Sequence, residues 1–319
     1  KINICFLIYF LFISNLYAEE FNITAKEILM DKENEVLTGI GSVKAIDSQE
    51  RIVSADKIIY QKSKEFLTAI NNAKVTDDKG NFLLSDKITY DKINEIIVTY
   101  ENSKLVLNEG YKLISKNITY NIIDGILSSN HLSIFTDDEG NIIETDMFQY
   151  DIKNNLFSSL GRIKITDEIK NEYFFKELHI DTKSKEMVGS DVSVLLDQKN
   201  FGVSNESDPR FVANDILVSK NISKLSKAIF TSCKKRKDDK CPPWSLKAKK
   251  IIHDSAKKNI YYEHATLKIY DVPVFYFPKF VHPDPTVKRQ SGFLFPTFTN
   301  STSMGGGLAL PYYWAINND

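Results

Sequence analysis

Four tyrosines, Tyr60, Tyr90, Tyr120 and Tyr150, stand thirty residues apart, each closing a variant of one phrase: SADKIIY, SDKITY, SKNITY and ETDMFQY. A fixed period of this size marks a repeat architecture, whose units cannot bury their apolar faces alone and must stack on their neighbours. Other columns keep the register. Ile58, Ile88, Ile118 and Phe148 precede the tyrosines by two residues, and Leu67, Ile97, Leu127 and Phe157 follow them by seven. Val75, Leu105, Phe135 and Ile165 form a further column, as do Val53, Leu83, Leu113 and Ile143. Apolar residues two apart are the signature of a strand with one dry face, and β-branched and aromatic residues fill these columns. Each repeat therefore holds two strands, with Gly80, Gly110 and Gly140 in register at turns. The expected fold class is all-β and elongated, either a jellyroll of antiparallel strands or a parallel β-helix with one coil per repeat. Both place the columns in an interior running the length of the stack, as plain core or as the lining of a partly open groove.

The 319 residues, 42% of them hydrophobic, suffice for a sizeable core. A net charge of −1, with no basic face apparent in the repeats, argues against a nucleic-acid partner. Residues Lys1 to Ala18 combine a basic start, an apolar run containing Cys5 and a small residue, which predicts a secretory signal peptide. In an exported chain the remaining Cys233 and Cys241 predict a disulfide across the intervening KKRKDDK. Zinc would need two further ligands and only His253 is near in sequence, so no metal is expected. Asp77-Asp78 and Asp137-Asp138 fall at turns, where Asp is a turn former. With no nucleophile motif and no glycine-rich phosphate loop, neither catalysis nor a cofactor is expected.

The periodicity breaks from Phe201 to Asn214 and resumes, AKKIIHD placing His253 at the tyrosine position. From Val272 to Pro296 the chain carries five prolines among aromatics, a composition that predicts a stiff extended connector. Gly292 to Ser303 and Gly306 to Ile316 then predict two strands, with Tyr312, Tyr313 and Trp314 as an aromatic cluster of the membrane-interface kind. The divisions expected are thus a signal peptide (1–18), repeats (19–200), a continuation with the cysteine loop (201–271), the connector (272–290) and the first strands of an outer-membrane barrel (291–319). Two strands cannot close a barrel, so the sequence reads as the N-terminal part of a longer protein.

The ordered set TSC (Thr231 to Cys233), WSLKAKKIIHD (Trp244 to Asp254), PVFYFPKFVHPDPTVKRQSGFLFP (Pro273 to Pro296) and LPYYWAIN (Leu310 to Asn317) resembles the LPS-assembly outer-membrane protein D family, LptD, also called the organic-solvent-tolerance (OstA) family. The resemblance is sharp over 231–317 and loose over the repeats. It implies a V-sectioned β-jellyroll instead of a β-helix, carrying lipopolysaccharide acyl chains in an apolar groove. That groove would be lined by Ile58, Tyr60, Leu67, Val75, Ile88, Tyr90, Ile97, Leu105, Ile118, Tyr120, Leu127, Phe135, Phe148, Tyr150 and Phe157. It further implies a lateral barrel gate weakened by Pro296 and Pro311, since proline donates no ladder hydrogen bond. Cys233 matches the family's tethering cysteine, to be paired with Cys241 or with cysteines beyond Asp319. The partners implied are lipopolysaccharide, a periplasmic bridge protein of the same jellyroll fold (LptA-like) docking at the N-terminal edge, an outer-membrane lipoprotein plug (LptE-like) and the barrel-assembly machinery. The location implied is the Gram-negative cell outer membrane, with the N-terminal domain in the periplasm. A free-standing periplasmic bridge or structural β-repeat protein is the alternative, against which the connector and the YYW strand argue.

Overall fold

The structure, a computed structural model, describes residues 21–47, 50–108, 110–197, 207–235, 242–283, 287, 291–293, 297–301 and 305–316. The expected signal peptide, Cys241 and Pro296 lie outside these residues. Strands begin with β1 (Asn22–Thr24), β2 (Glu27–Asp31) and β3 (Val36–Ile46). The repeats follow as β4 (Ile52–Gln61), β5 (Phe66–Thr76), β6 (Phe82–Asp91) and β7 (Ile96–Val106). Next come β8 (Lys112–Lys116), β9 (Thr119–Asn121), β10 (Ile126–Ser129), β11 (Ser133–Thr136), β12 (Ile142–Thr145) and β13 (Phe148–Asp151). Longer strands resume with β14 (Leu156–Thr166), β15 (Glu172–Asp181), β16 (Glu186–Leu195), β17 (Ser207–Ser219) and β18 (Ile222–Cys233). The last of the main sheet are β19 (Trp244–Asp254), β20 (Asn259–Ile269) and β21 (Val272–Pro283). Four short strands close the series: β22 (Gly292–Phe293), β23 (Thr297–Ser301), β24 (Gly305–Ala309) and β25 (Tyr312–Tyr313).

Every ladder among the described residues is antiparallel, and each long strand pairs with the next in sequence, from β3–β4 through β20–β21. A parallel β-helix is thereby excluded, and the all-β meander of a jellyroll is what the thirty-residue period builds. The repeat strands are not straight. Register shifts fall at Ile40/Val43, Ser54/Lys57, Ile70/Ala73, Ser85/Lys87 and Leu160/Ile163, and the intervening strands split outright, β8 and β9 both pairing with β7. Such bulges bend a strand and flip its facing parity. In β4 the buried positions run Val53, Ala55, then Ile58, Tyr60, odd before the bend and even after it. Both halves of each strand therefore send apolar side chains into one interior. Leu67, Ile88 and Leu178 there are fully buried, each worth about 1.5–3 kcal/mol relative to exposure.

At the bend the interior is narrow, and three columns of small residues meet it: Ala55, Ser85, Ser115, Thr145; then Ala69, Thr99, Ser129, Ser159, Gly189; then Ala73, Ser103, Ser133. Their hydroxyls pair with one another and with backbone carbonyls freed by the bulges. Ser103 Oγ donates to Thr99 Oγ1 at 2.7 Å, Ser115 and Ser133 are linked at 2.8 Å, and Thr145 and Ser159 at 2.5 Å. Buried hydroxyls are tolerable because none of these is left unpaired. One repeat solves the same packing differently: Phe175 replaces the hydroxyl residue, and Gly189 yields the space, since a Cβ there would lie 2.5 Å from the Phe175 ring.

Turns repeat as faithfully as the strands. Beyond the tyrosines, Asp91 accepts from Asn94 N at 3.0 Å and from Asn94 Nδ2 at 2.8 Å, and Asp31/Asn34 and Asp151/Asn154 repeat the pair. At the opposite end, Asp77 holds Asn81, whose Oδ1 accepts Asn108 N of the next repeat at 2.8 Å; Asn141 and Asn171 reach the following repeat likewise. Gly80 and Gly140 complete these turns at φ +83° and +88°, a region that glycine enters without a Cβ penalty. Hydrogen bonds from Asn34, Asn94 and Asn154 side chains hold the carboxyls of Asp31, Asp91 and Asp151 below the ordinary aspartate range. A carboxyl depressed in the folded state contributes stability that is present above its unfolded pKa of about 4 and is lost as pH falls through the folded value. Melting temperature is thus expected to fall below about pH 4, and Asp91→Asn to flatten that part of the profile measured by circular dichroism.

The segment from Val272, expected as a connector, is instead strand β21 as far as Pro283, paired with β20. Proline density does not forbid this because β21 is an edge: among the described residues its main-sheet partner is β20 alone, so prolines 273, 278 and 283 can turn their missing N–H to the free side. The two strands expected after it form a single hairpin, β23 with β24 near the tip and β22 with β25 at the root. Between Phe293↔Tyr312 and Thr297↔Ala309 three residues of the sequence stand on one side and two on the other, so the registers of the two ladders differ by one. At the hairpin root, a Cβ on Gly292 would stand 2.6 Å from Pro283, so β22 abuts the end of β21.

A continuous apolar interior as the candidate site

Ten of the fifteen expected lining residues are buried in one cluster: Ile58, Tyr60, Leu67, Ile88, Tyr90, Ile97, Ile118, Leu127, Phe148 and Phe157. Val75, Leu105, Tyr120, Phe135 and Tyr150 are partly buried and pack against it. Cross-strand pairing explains the alignment, Tyr60 opposing Leu67 and Leu67 opposing Tyr90 across the first repeats, with Tyr150 opposing Leu127 and Phe157 later. The same cluster continues beyond the repeats through Leu178, Val192, Ile216, Leu225, Ile251 and Tyr262, so one apolar interior spans the main sheet.

Apart from the hydroxyls paired at the bend, its buried ionisable groups lie at the rim. Asp47 and Asp254, the buried carboxylates among the described residues, both sit at turns, with Arg51 and Lys257 as partners at 2.5 and 3.5 Å. Arg51 also donates to Tyr90 OH at 2.7 Å, while that hydroxyl donates to Glu95 at 2.8 Å. Burial, then the bond to Glu95, pushes the Tyr90 phenol well above its ordinary range, and burial raises Tyr120, so both are neutral. Tyr150 OH is 3.1 Å from Thr182 Oγ1. The tyrosine column thus presents ring faces inward and anchors its hydroxyls at the edge, as an amphipathic ring does at a boundary between wet and dry surroundings.

Aromatic groups mark both ends. Phe21 sets its ring edge-on to Tyr60 at 5.2 Å and to Tyr90 at 5.9 Å. Toward the C-terminal end, Phe230 lies 4.6 Å from the tilted Phe211 ring and 5.9 Å from Trp244, which it meets edge to face. Tyr262, Phe280, Phe277 and Phe275 then continue in contact to the last strand, where Phe275 is 53% exposed. That opening mouth escaped sequence reading because its residues lay in the supposed connector, although their alternation on Phe275, Phe277 and, past Pro278, Phe280 was visible. Arg51, Glu95 and Phe21 were missed as well: Arg51 and Phe21 stand outside the apolar columns, and Glu95 keeps the period with Glu35 and Glu65 only as a polar turn residue.

Cys233 ends β18 with its Sγ 3.7 Å from the Trp244 carbonyl oxygen; its expected partner Cys241 lies outside the described residues. Pro311 adjoins β25, and Pro296 is not among the described residues. On the hairpin, Leu308, Leu310, Tyr312, Trp314 and Ile316 are all exposed. At the other end, β2 pairs with β3 and exposes Ile28, Leu29 and Met30 in succession.

Comparison with known proteins places a name beside this geometry. Residues 260–319 match the family described as LptD protein. The LPS-assembly protein LptD of Shewanella denitrificans is 35% identical over 140 residues, 43% of this chain and 17% of the relative. That of Hahella chejuensis is 32% identical over 139 residues, 43% and 16% of the two chains. The same-named protein of Shewanella sp. strain MR-4 is 42% identical over 80 residues, 24% of this chain and 10% of the relative. The chain therefore spans less than a fifth of the length of these relatives.

Proposed function

From this likeness to the LPS-assembly protein LptD, we infer that the chain is the entry portion of a lipopolysaccharide transport and outer-membrane assembly protein, not an enzyme. Acyl chains pass along the interior lined by the Ile58, Tyr60, Leu67 and Val75 columns and their repeats, and leave by the Phe275–Phe277–Phe280 mouth. One observation carries this: the apolar interior is continuous from the first strands to β21, with its buried carboxylates held at the turns. Hydrocarbon demands such a path, because an unpaired buried charge would cost several kcal/mol. The hairpin that follows abuts β21 and exposes an apolar face, as suits the first strands of a barrel facing lipid.

Three finer readings go with it. The edge at β2, which among the described residues pairs with β3 alone and exposes Ile28, Leu29 and Met30, receives a bridge protein of the same jellyroll fold by strand addition. A lipoprotein plug and the barrel-assembly machinery act on the barrel that the hairpin begins. Pro296 and Pro311 fall in sequence between two ladders whose registers differ by one, and proline donates no ladder hydrogen bond, which is the property a lateral gate needs. Replacing both prolines with threonine is expected to slow delivery of lipopolysaccharide to the cell surface by roughly 3- to 10-fold, the effect of a restored ladder bond or two. Surface labelling of newly made lipopolysaccharide measures it, and delivery at the unaltered rate would remove the gate from the account.

A further inference from the structure

The net charge of −1 conceals a segregation. Residues 1–206 hold 23 Lys and Arg against 33 Asp and Glu, whereas residues 207–283 hold 16 against 7. In the described strands of this second segment the buried positions hold no lysine or arginine, so the cations there are displayed outside. Lys224, Lys227, Lys247 and Lys249 are exposed on β18 and β19, and Lys220, Lys257 and Lys258 stand at the turns. Exposed apolar residues share this outer face. Val188 pairs with Leu217, Leu217 with Lys224, and Lys224 with Ile252, giving an outward row across four strands in which one lysine stands among three apolar side chains. Where the row meets the turns, a cavity of about 590 Å³ opens, with Leu217, Ile222 and Ile252 on its floor and Lys220, Lys224 and Lys257 around it. Asp254 is the carboxylate in its wall, and Lys257 lies 3.5 Å from it.

We propose that this outer cavity binds the headgroup of an anionic phospholipid at the membrane surface, its phosphate among Lys220, Lys224 and Lys257 and its first acyl carbons on Leu217, Ile222 and Ile252. An apolar floor ringed by lysines suits an amphiphile. A nucleic acid would need an extended phosphate track or stacking aromatics, which this row lacks. Each lysine near an anionic leaflet adds attraction, and the segment's excess of positive charge is the sign such a leaflet draws. The site lies on the outside of the sheet, with β20 between it and β21 in sequence and the exposed hairpin beyond. It rests on the proposed membrane location, but not on the interior's being a conduit.

The test uses the full-length protein in vesicles of phosphatidylethanolamine with phosphatidylglycerol, carrying a photo-crosslinking residue at Asn221, which lines the cavity. A second preparation carries the probe at interior Tyr90 and is supplied with lipopolysaccharide. Phosphatidylglycerol adducts at 221, reduced about tenfold or more by the combined Lys220→Glu, Lys224→Glu and Lys257→Glu substitutions, are the expected result. Adducts that follow the abundance of the two lipids and ignore the charge reversal would overturn the proposal, as would a protein adduct or none. Capture at 90 without capture at 221 would leave the conduit standing and remove this site; the reverse would do the opposite.

Discussion

Ile88→Asp is expected to abolish folding of the repeat sheet. Ile88 is fully buried in the middle of β6 between β5 and β7, with Ala69 and Thr99 opposite it and the Ile58 and Ile118 columns on either side. A carboxylate there would stand inside the apolar cluster, and its desolvation costs several kcal/mol on top of the lost apolar burial. Against a total stability of about 5–15 kcal/mol, that single change is decisive. Ile93→Asp, on the adjoining turn and 62% exposed, is expected to leave stability within about 0.5 kcal/mol. Protease resistance and strand content by circular dichroism separate the two. A folded, resistant Ile88→Asp protein would mean that the interior admits water at this point.

The second large effect concerns the bend. Gly189→Ser places a Cβ 2.5 Å from the Phe175 ring, and overpacking of this kind costs about 1–3 kcal/mol. One repeat earlier, Thr145 and Ser159 occupy the equivalent positions with a hydrogen bond of 2.5 Å. Adding Phe175→Thr to Gly189→Ser copies that solution, and should recover most of the loss, because the two sites then share one hydroxyl pair and one volume. Equilibrium urea denaturation of the wild type, the two single variants and the double variant closes the cycle. Additive losses would show that the repeats are not interchangeable at the bend.

Much of this was legible in the columns, and the reason is geometric: large apolar residues at a strict period must share an interior. The bend was not legible, because Ala55, Ser85, Ser115 and Thr145 carry no hydrophobic signal and their packing role appears only once facing columns are seen together. Strand β21 was misread because proline counts against a sheet interior but not against an edge, and edge position is a property of the whole sheet. The tyrosine column was read as simple lining, whereas Arg51 and Glu95 anchor Tyr90 from outside the apolar columns. Charge was hidden by summation, since opposite excesses in two halves cancel to −1.

The central claim is that the interior carries lipid, and a photo-crosslinking scan in cells tests it most directly. Probes at Tyr90 and Ile118 face inward, and probes at Lys87 and Lys116 are exposed on the same strands or their neighbours. Lipopolysaccharide adducts at 90 and 118 but not at 87 and 116, in the full-length exported protein, are the predicted result. Adducts at none of the four positions in protein that is exported and protease-resistant would contradict the account and leave the columns as a packed core.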